Sequence, residues 1–446
     1  MVDAAVSPAC PGVGARIPAF QAGDRWGVIG DSIAHNGAWH NYVYQYYVTR
    51  FPTQRFSLLN CGISGDNAGR GVMRLGWDIL PAAPTVATLL FGMNDVARHL
   101  YDAGQDGPEV ARERAACIAT CVENLRTLAT ALRDAGSAVI FLSPTIYDQT
   151  VLTELSAAVG VNEALAEVAA RVGELAASFG APCLDWQTPL QRLTREGQAR
   201  DPYFSLLNPD RVHPHAAGHF IMAHTLLAAQ GLPRSVAGLG IDAAERTVTT
   251  EDNCRISALA VADGALHFDC LEAALPFPVE PAAQPALALV PFTETLNQET
   301  LRVTGLRAGR YTLRIDDTVI AEYTAETLAA GVNLATEPAT PQYRQALAVQ
   351  ALNTARHDLI RERLRAFIFV EWHCTEGRGV AHDGPLSRAR LAELAANDAG
   401  YIGDQYRVYL TEKANEAAIT REVTALTDRL WAAAPPTSHH FDLQPS

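Results

Sequence analysis

The sequence predicts an α/β protein whose first half is a three-layer αβα sandwich around a parallel sheet. Three observations predict it. Up to about residue 235, short apolar runs alternate with long helical stretches, the pattern of strands joined by helical crossovers. The first apolar run, Trp26-Gly27-Val28-Ile29-Gly30, stops at Asp31-Ser32, the kind of polar tip an α/β sheet presents at its carboxyl edge. After about residue 245 the texture changes to short β-like runs and then returns to helix, so a smaller β-sandwich domain and a terminal helical hairpin follow.

Taken in order, strands are expected at 26–30, 56–60, 86–91, 138–143 and 182–185. Helices are expected near 40–50, 109–135, 153–179 and 216–229. Further β-like runs lie at 256–261, 265–270, 301–304, 311–315 and 319–323, the last two flanking the hairpin signal Asp316-Asp317-Thr318. The proline-rich stretch 276–285 reads as a loop. Helical patterning returns at 342–372, 387–399 and 405–434. The expected division is an N-terminal segment 1–21, an α/β domain 22–240, a β-sandwich 245–340 and a helical region 341–446. A chain of 446 residues exceeds one ordinary core, which requires such a division.

Composition bounds the function. Hydrophobic residues make up 48% and charged residues 19%, enough apolar surface for a sizeable core. A net charge of −14 argues against nucleic acid and anionic membranes as partners. No apolar run approaches the roughly 20 residues that span a bilayer. The N-terminal stretch lacks a basic region followed by a long apolar segment. This implies a cytoplasmic protein, or a secreted or periplasmic one whose signal peptide has been removed. The eight cysteines are scattered; Cys117 and Cys121, four apart, fit neither C-x-x-C nor a zinc pair. Most read as buried thiols, with Cys254 and Cys270 a candidate cross-strand disulfide in an oxidising compartment. No cofactor or metal is called for, and oligomeric state is left open.

Ser32 is the candidate nucleophile. A serine hydroxyl needs a base, an orienter for that base, and donors for the developing oxyanion. The rest of the chain offers those parts. In Asn60-Cys61-Gly62-Ile63-Ser64-Gly65-Asp66-Asn67 the glycines let a backbone N–H approach a reacting centre. In Gly92-Met93-Asn94-Asp95 a side-chain amide sits at a strand end. In Asp210-Arg211-Val212-His213 the aspartate can hold the imidazole Nδ1–H, leaving Nε2 to accept the serine proton.

Each residue has a plainer alternative. Ser32, Gly65 and Asn94 could serve only turns and caps. Asp31 and Asp95 read as loop scaffolding rather than reacting acids. His213, His215 and His219 tempt a metal reading, but no carboxylate-rich cluster accompanies them. His35, Trp39 and His40 follow the nucleophile closely and either line a substrate pocket or belong to the core. Asp66 and Arg98 are further candidates for substrate contact, with a solvated helix start the alternative for Arg98 and His99.

Together these four blocks, in this order, resemble the SGNH (GDSL) hydrolases over roughly residues 22–235. No Gly-x-Ser-x-Gly elbow occurs, which separates the chain from ordinary α/β-hydrolases. The resemblance implies a flavodoxin-like sandwich as catalytic domain, with Ser32 as nucleophile and Asp210 and His213 completing a triad. It also implies an oxyanion hole of the Ser32 N–H, the Gly65 N–H and the Asn94 side chain. The choice of Gly65 over Gly62 follows from aligning Ile63-Ser64-Gly65-Asp66. The region after 245 is similar to the tails of larger bacterial members, which carry a β-domain with a Leu-Asn-Gln-Glu-like segment, here Leu296-Asn297-Gln298-Glu299. That likeness implies an acetylesterase acting on carbohydrate O-acetyl groups, so the expected partner is a small ester or an acetylated glycan. The alternatives are a broad short-chain carboxylesterase or thioesterase, or a carbohydrate-binding module with a vestigial triad. The β-domain has few aromatics, Phe292, Tyr311 and Tyr323, which favours a brace over a sugar platform.

Overall fold

A computed structural model describes residues 16–375 and 385–446. Residues 1–15 of the expected N-terminal segment, Cys10 and the side chain of Cys374 lie outside the described residues. Contacts divide the chain into two compact units, each assembled from three stretches. The first takes residues up to His40, then Phe56–Gln230 and His357–Val423; the second takes Asn41–Arg55, Gly231–Arg356 and Thr424–Ser446.

The first unit is built on β1 (Arg25–Gly30), α1 (Ser32–Asn36), the start of α2 (Ala38–Arg50), β2 (Ser57–Gly62), α3 (Ala68–Met73) and β3 (Val86–Leu90). It continues through α4 (Pro108–Asp134), β4 (Ala138–Leu142), α5 (Val161–Phe179), β5 (Cys183–Leu184), α6 (Gln187–Gln198) and α7 (Ala216–Ala229). The five strands are parallel in the order β2-β1-β3-β4-β5. This is the flavodoxin-like order, with its switch point between β1 and β3. Alternation along each strand makes the layers. Ile29, Leu89 and Phe141 face Leu125 and Leu128 of α4 and Val168 and Leu175 of α5. On the opposite face Trp26 packs edge-on against Trp39, which packs on Trp186, and Phe20 stacks on Trp26 at 4.4 Å.

The expected helix 153–179 starts only at Val161. Thr153 Oγ1 accepts from the Leu155 N–H, a side-chain turn that competes with helix, and Gly160 stands at φ +101° immediately before Val161.

The second unit contains β6 (Ser235–Asp242), β7 (Thr247–Asp252), β8 (Cys254–Ala262), β9 (Ala265–Glu272), α8 (Phe292–Leu296), β10 (Gln298–Thr304), β11 (Arg310–Ile315), β12 (Thr318–Thr324), α9 (Ala325–Ala330) and β13 (Val332–Asn333). Two sheets, β13-β10-β6-β7 and β12-β11-β14-β9-β8, enclose one core of Leu239, Phe268, Leu301, Val303, Leu313 and Phe441. The strand β14 is Ser438–Pro445, from the far end of the chain. Asp316, in left-handed geometry, turns the β11–β12 hairpin. Cys254 and Cys270 lie on neighbouring strands as free thiols, not as the disulfide considered from sequence. In the Leu-Asn-Gln-Glu segment, Asn297 clasps Phe277 by accepting from its N–H and donating to its C=O.

The segment from 341 on is not one helical hairpin. It forms α10 (Pro341–Leu359), α11 (Arg365–Thr375), α12 (Pro385–Asn397), α13 (Tyr401–Glu412) and α14 (Glu416–Ala433), and then β14. Its parts serve different cores. Phe367, Val370, Trp372, Leu391 and Tyr409 pack with Ile63 in the first unit, whereas β14 pairs with β9 and β11 in the second. Helical periodicity in a sequence marks an apolar face but not the core it will meet.

Two buried charge clusters have energetic consequences. In the first unit Arg74 and Asp66 are fully buried and paired at 2.6 Å; Arg74 also pairs with Asp78, which Arg365 grips at 2.8 Å. In the second unit Glu299 is fully buried near Glu272, and its carboxylate oxygens have no hydrogen-bond partner among the described residues. Burial lifts Glu299 from 4.5 to about 8, against the pull of Arg50.

Replacing Asp78 with alanine leaves the buried Arg365 without a carboxylate and Arg74 with Asp66 alone. It should cost about 3–5 kcal/mol of unfolding free energy, read from a denaturant titration; a loss below about 1 kcal/mol would show the network to be dispensable. Glu299 titrates near 4.5 when unfolded and near 8 when folded, so the native state retains a proton that the unfolded state releases. Its contribution is therefore complete below about pH 4.5 and is lost as pH rises towards 8. Glu299→Gln should lose less melting temperature than wild type between pH 5 and pH 8, by several degrees at roughly 2–4 °C per kcal/mol. Parallel melting curves for the two proteins would exclude Glu299 as the titrating group.

Candidate active site

The carboxyl ends of β1, β2 and β3 and the loop before α7 converge at the switch point. Gly30 precedes Asp31, whose side chain accepts from the Ile33 N–H and caps α1. Ser32 is thereby the first residue of that helix. Its Oγ lies 2.7 Å from His213 Nε2, and His213 Nδ1 lies 2.6 Å from Asp210 Oδ2. Asp210 Oδ1 accepts from the Val212 and His213 N–H groups at 3.0 Å. Burial works to raise the Asp210 pKa, but the hydrogen bonds from His213 and Val212 outweigh it and hold the carboxyl below its ordinary value. The group therefore stays charged and can stabilise an imidazolium.

Arg211, inside this loop, was not expected to matter. It adopts φ +66°, uncommon for a side-chain-bearing residue. Its buried guanidinium donates to the carbonyls of Asp148, Val151 and Leu155. The side chain clamps the loop to the 148–155 segment.

The donors come from the other two strand ends. Gly65 has φ +80°, a Cβ there would touch His373 Cε1 at 4.0 Å, and its N–H has no hydrogen-bond partner among the described residues. Gly62 serves packing instead: a Cβ there would lie 2.2 Å from the His35 nitrogen, and its N–H donates to Asn60 Oδ1. Asn94 donates through Nδ2 to the Asp66 carbonyl at 2.7 Å and accepts at Oδ1 from Arg98 at 3.1 Å. Arg98 thus fixes which way the amide faces and leaves the second Nδ2 hydrogen for another acceptor.

The four residues proposed for substrate contact divide. Arg98 lines the cavity over Ser32, and so does His35, although nearly buried. His35 accepts from the Ser64 N–H at Nδ1, and burial, reinforced by the charge of Arg365, lowers its pKa to about 3, so it stays neutral. Asp66 does not face substrate. It is fully buried between Arg74 and the Trp372 indole, because a carboxylate under the loop must be paired to be tolerated. Trp39 belongs to the core, with no exposed surface. Asp95 accepts from the Ala68 and Gly92 N–H groups, and His215 points its Nε2 at the Ser205 carbonyl. Among the described residues no group of three or more His, Cys, Asp or Glu is placed to hold a metal.

Two cavities meet at Asn94, Arg98, Asp210 and His213. One, of about 720 Å³, includes Ser32, Gly65 and residues of the C-terminal helices: Arg361, Arg363, Tyr401 and Gln405. The other, about 1130 Å³, opens towards Asn67, Arg70 and α4. Sequence reasoning missed the helical contribution, since Tyr401 OH lies 3.1 Å from Ser64 Oγ across 337 positions. No local signal announces such a contact.

A family model for the GDSL-like lipase/acylhydrolase family matches residues 28–221. Among solved structures, the chain is similar to BT4096, a gut microbial diltiazem-metabolizing enzyme, at 29% identity and TM-score 0.89, covering 97% of this chain and 99% of that one. It is also similar to Axe2, an acetylxylan esterase from Geobacillus stearothermophilus, at 22% identity and TM-score 0.40, covering 49% of this chain and 97% of that one. A search of the curated proteins found none that matches. The matched stretch, residues 28–221, is a GDSL-like lipase/acylhydrolase domain, and through this domain the chain is a serine ester hydrolase.

Proposed function

We propose that the chain cleaves short-chain esters, acetyl esters above all, through an acyl-enzyme on Ser32, and that the alcohol is a carbohydrate. One observation carries the chemistry: the continuous Ser32–His213–Asp210 chain of hydrogen bonds beside two N–H groups without partners among the described residues, those of Ser32 and Gly65. His213 Nε2 takes the Ser32 proton as Oγ attacks the ester carbonyl. Asp210 stabilises the resulting imidazolium. The oxyanion forms against the Ser32 and Gly65 N–H groups and the free Asn94 hydrogen. His213 then protonates the leaving alcohol, and water, activated by the same imidazole, releases the acid.

The carbohydrate reading rests on the likeness of the β-domain and helices to the tails of larger family members. The cavities support a bulky alcohol, since together they leave far more room than an acetyl group fills. A second reading, a broad short-chain carboxylesterase, is favoured by BT4096, which shares nearly the whole chain and acts on a drug molecule.

Hydrolysis of p-nitrophenyl acetate against p-nitrophenyl octanoate, with acetate release from acetylated polysaccharides and turnover of diltiazem in the same series, separates the readings. Release from polysaccharide supports the first; diltiazem turnover without it supports the second. Ser32→Ala and His213→Ala should each abolish nearly all p-nitrophenyl acetate hydrolysis, and the double variant should be no worse than either. A Ser32→Ala protein that retains activity would end the mechanism. Asn94→Ala should lower kcat by roughly 10²-fold, about 3 kcal/mol of transition-state stabilisation. A loss under about fivefold in steady-state assays would remove Asn94 from the oxyanion hole.

A further inference from the structure

The cavity over Ser32 holds an arginine that the ester chemistry leaves unused. Between α10 and α11 the helix makes a single π-helical turn, Ile360–Leu364, in which the Arg365 N–H reaches the Ile360 carbonyl five residues back. Such a turn admits one extra residue and commonly marks a functional site. Here it places Arg361, Glu362 and Arg363 in succession along the cavity wall. The turn is held in place by its neighbour. Arg365 donates to the Gly62 carbonyl at 3.1 and 3.2 Å and pairs with Asp78, so it is tied to the strand end that leads into Ser64 and Gly65.

The charges on this wall are unequally partnered. Glu362 is taken by Arg361 at 2.6 Å, and Arg361 also pairs with Asp358. Asp210 is hydrogen-bonded to His213 Nδ1. Arg98 spends one nitrogen on the Met93 carbonyl and the Asn94 amide and pairs with no carboxylate among the described residues. Arg363, half-buried, has neither an ion pair nor a hydrogen bond among the described residues. Arg363 is thus a cation on the wall beside the reactive serine that no carboxylate among the described residues takes up. Desolvating a guanidinium without a partner is costly, and its planar fork fits a carboxylate in two parallel hydrogen bonds.

We infer that Arg363 is a specificity determinant that binds a carboxylate on the alcohol part of the ester. On the reading above, on which this inference rests, the substrate is an acetyl ester of an acidic alcohol, such as an acetylated glycan containing uronic acid. One free fork matches one singly charged carboxylate. Tyr401 and Gln405, on the same wall, supply donors for neighbouring hydroxyls.

The test compares acetate release from 3- and 4-acetoxybenzoate with release from the corresponding neutral acetoxybenzamides, using the full chain. The quantity read is the ratio of kcat/KM for acid over amide. Wild type should prefer at least one acid, and that preference should shrink as salt is raised. Arg363→Ala should lower the ratio about tenfold or more, Arg363→Lys should restore part of it, and Arg363→Glu should favour the amide. If wild type cleaves the amides through Ser32 but shows no preference for acid, or if Arg363→Ala leaves the ratio within twofold, the assignment of Arg363 is overturned and the esterase reading stands. If wild type releases no acetate from any of the four in a Ser32-dependent way, the acetyl-ester reading fails and takes this inference with it.

Discussion

The loop after β2 depends on a buried alternation of charge, Asp66–Arg74–Asp78–Arg365. Two carboxylates and two guanidiniums cancel, so none is left alone in a medium that punishes bare charge. Each arginine also donates to the backbone, Arg74 to the Cys61 carbonyl and Arg365 to that of Gly62. The Trp372 indole closes the set on Asp66. The effect is to fix residues 61–66 from below and from the side. Within that stretch Gly65 keeps a positive φ, open to glycine without strain, and an N–H with no partner among the described residues. The Asp66 carbonyl in turn receives Asn94, so the same network reaches the third strand end. Preorganised donors cost little at the moment of reaction because the cost has already been met in folding.

Topology explains why these parts meet. In a sheet ordered β2-β1-β3-β4-β5, the chain leaves β1 on one face and returns through β2 and β3 on its two sides. Ser32, Gly65 and Asn94 therefore sit at three adjacent strand ends although up to 62 positions separate them. The histidine arrives from the loop before α7, where Arg211 fixes its approach. A helix start at Ser32 adds the positive end of a short backbone dipole beside the same point.

Much of this was legible because it is local or periodic. Strand alternation gave the sandwich, and Asp210 three residues before His213 gave the hydrogen bond that forms. Gly65 was separable from Gly62 only by likeness, whereas geometry supplies the reason: Gly62 is needed for the close approach of α1 to β2. Trp39 and Asp66 misled for opposite reasons. Proximity in sequence to Ser32 says nothing about which side of the helix a tryptophan takes, and a polar residue in a glycine loop is as readily an anchor as a ligand. The split of the C-terminal segment was illegible in principle. Whether 357–423 packs on Ile63 or elsewhere depends on surfaces assembled from residues 300 positions away. So the walls of the cavity, unlike its floor, had no sequence signature.

Electrostatics unites the two. Three aspartates, Asp31, Asp66 and Asp95, lie close to where an oxyanion would form, and unpaired carboxylates there would oppose it. Burial, strengthened by repulsion from Asp95 and Asp66, raises Asp31 to about 7, and burial raises Asp95 to about 6 against the N–H groups that favour its charge. Asp66 is neutralised by Arg74. Asp31 is thus largely or partly protonated near neutral pH, and the negative charge felt at Ser32 is less than the sequence suggests. The floor is muted by burial and pairing, while the wall adds Arg98 and Arg363 without carboxylate partners among the described residues. An acidic protein can in this way soften the negative charge around its reaction centre: acids are needed as anchors under the loops, and their charge is suppressed by the same burial that makes them good anchors.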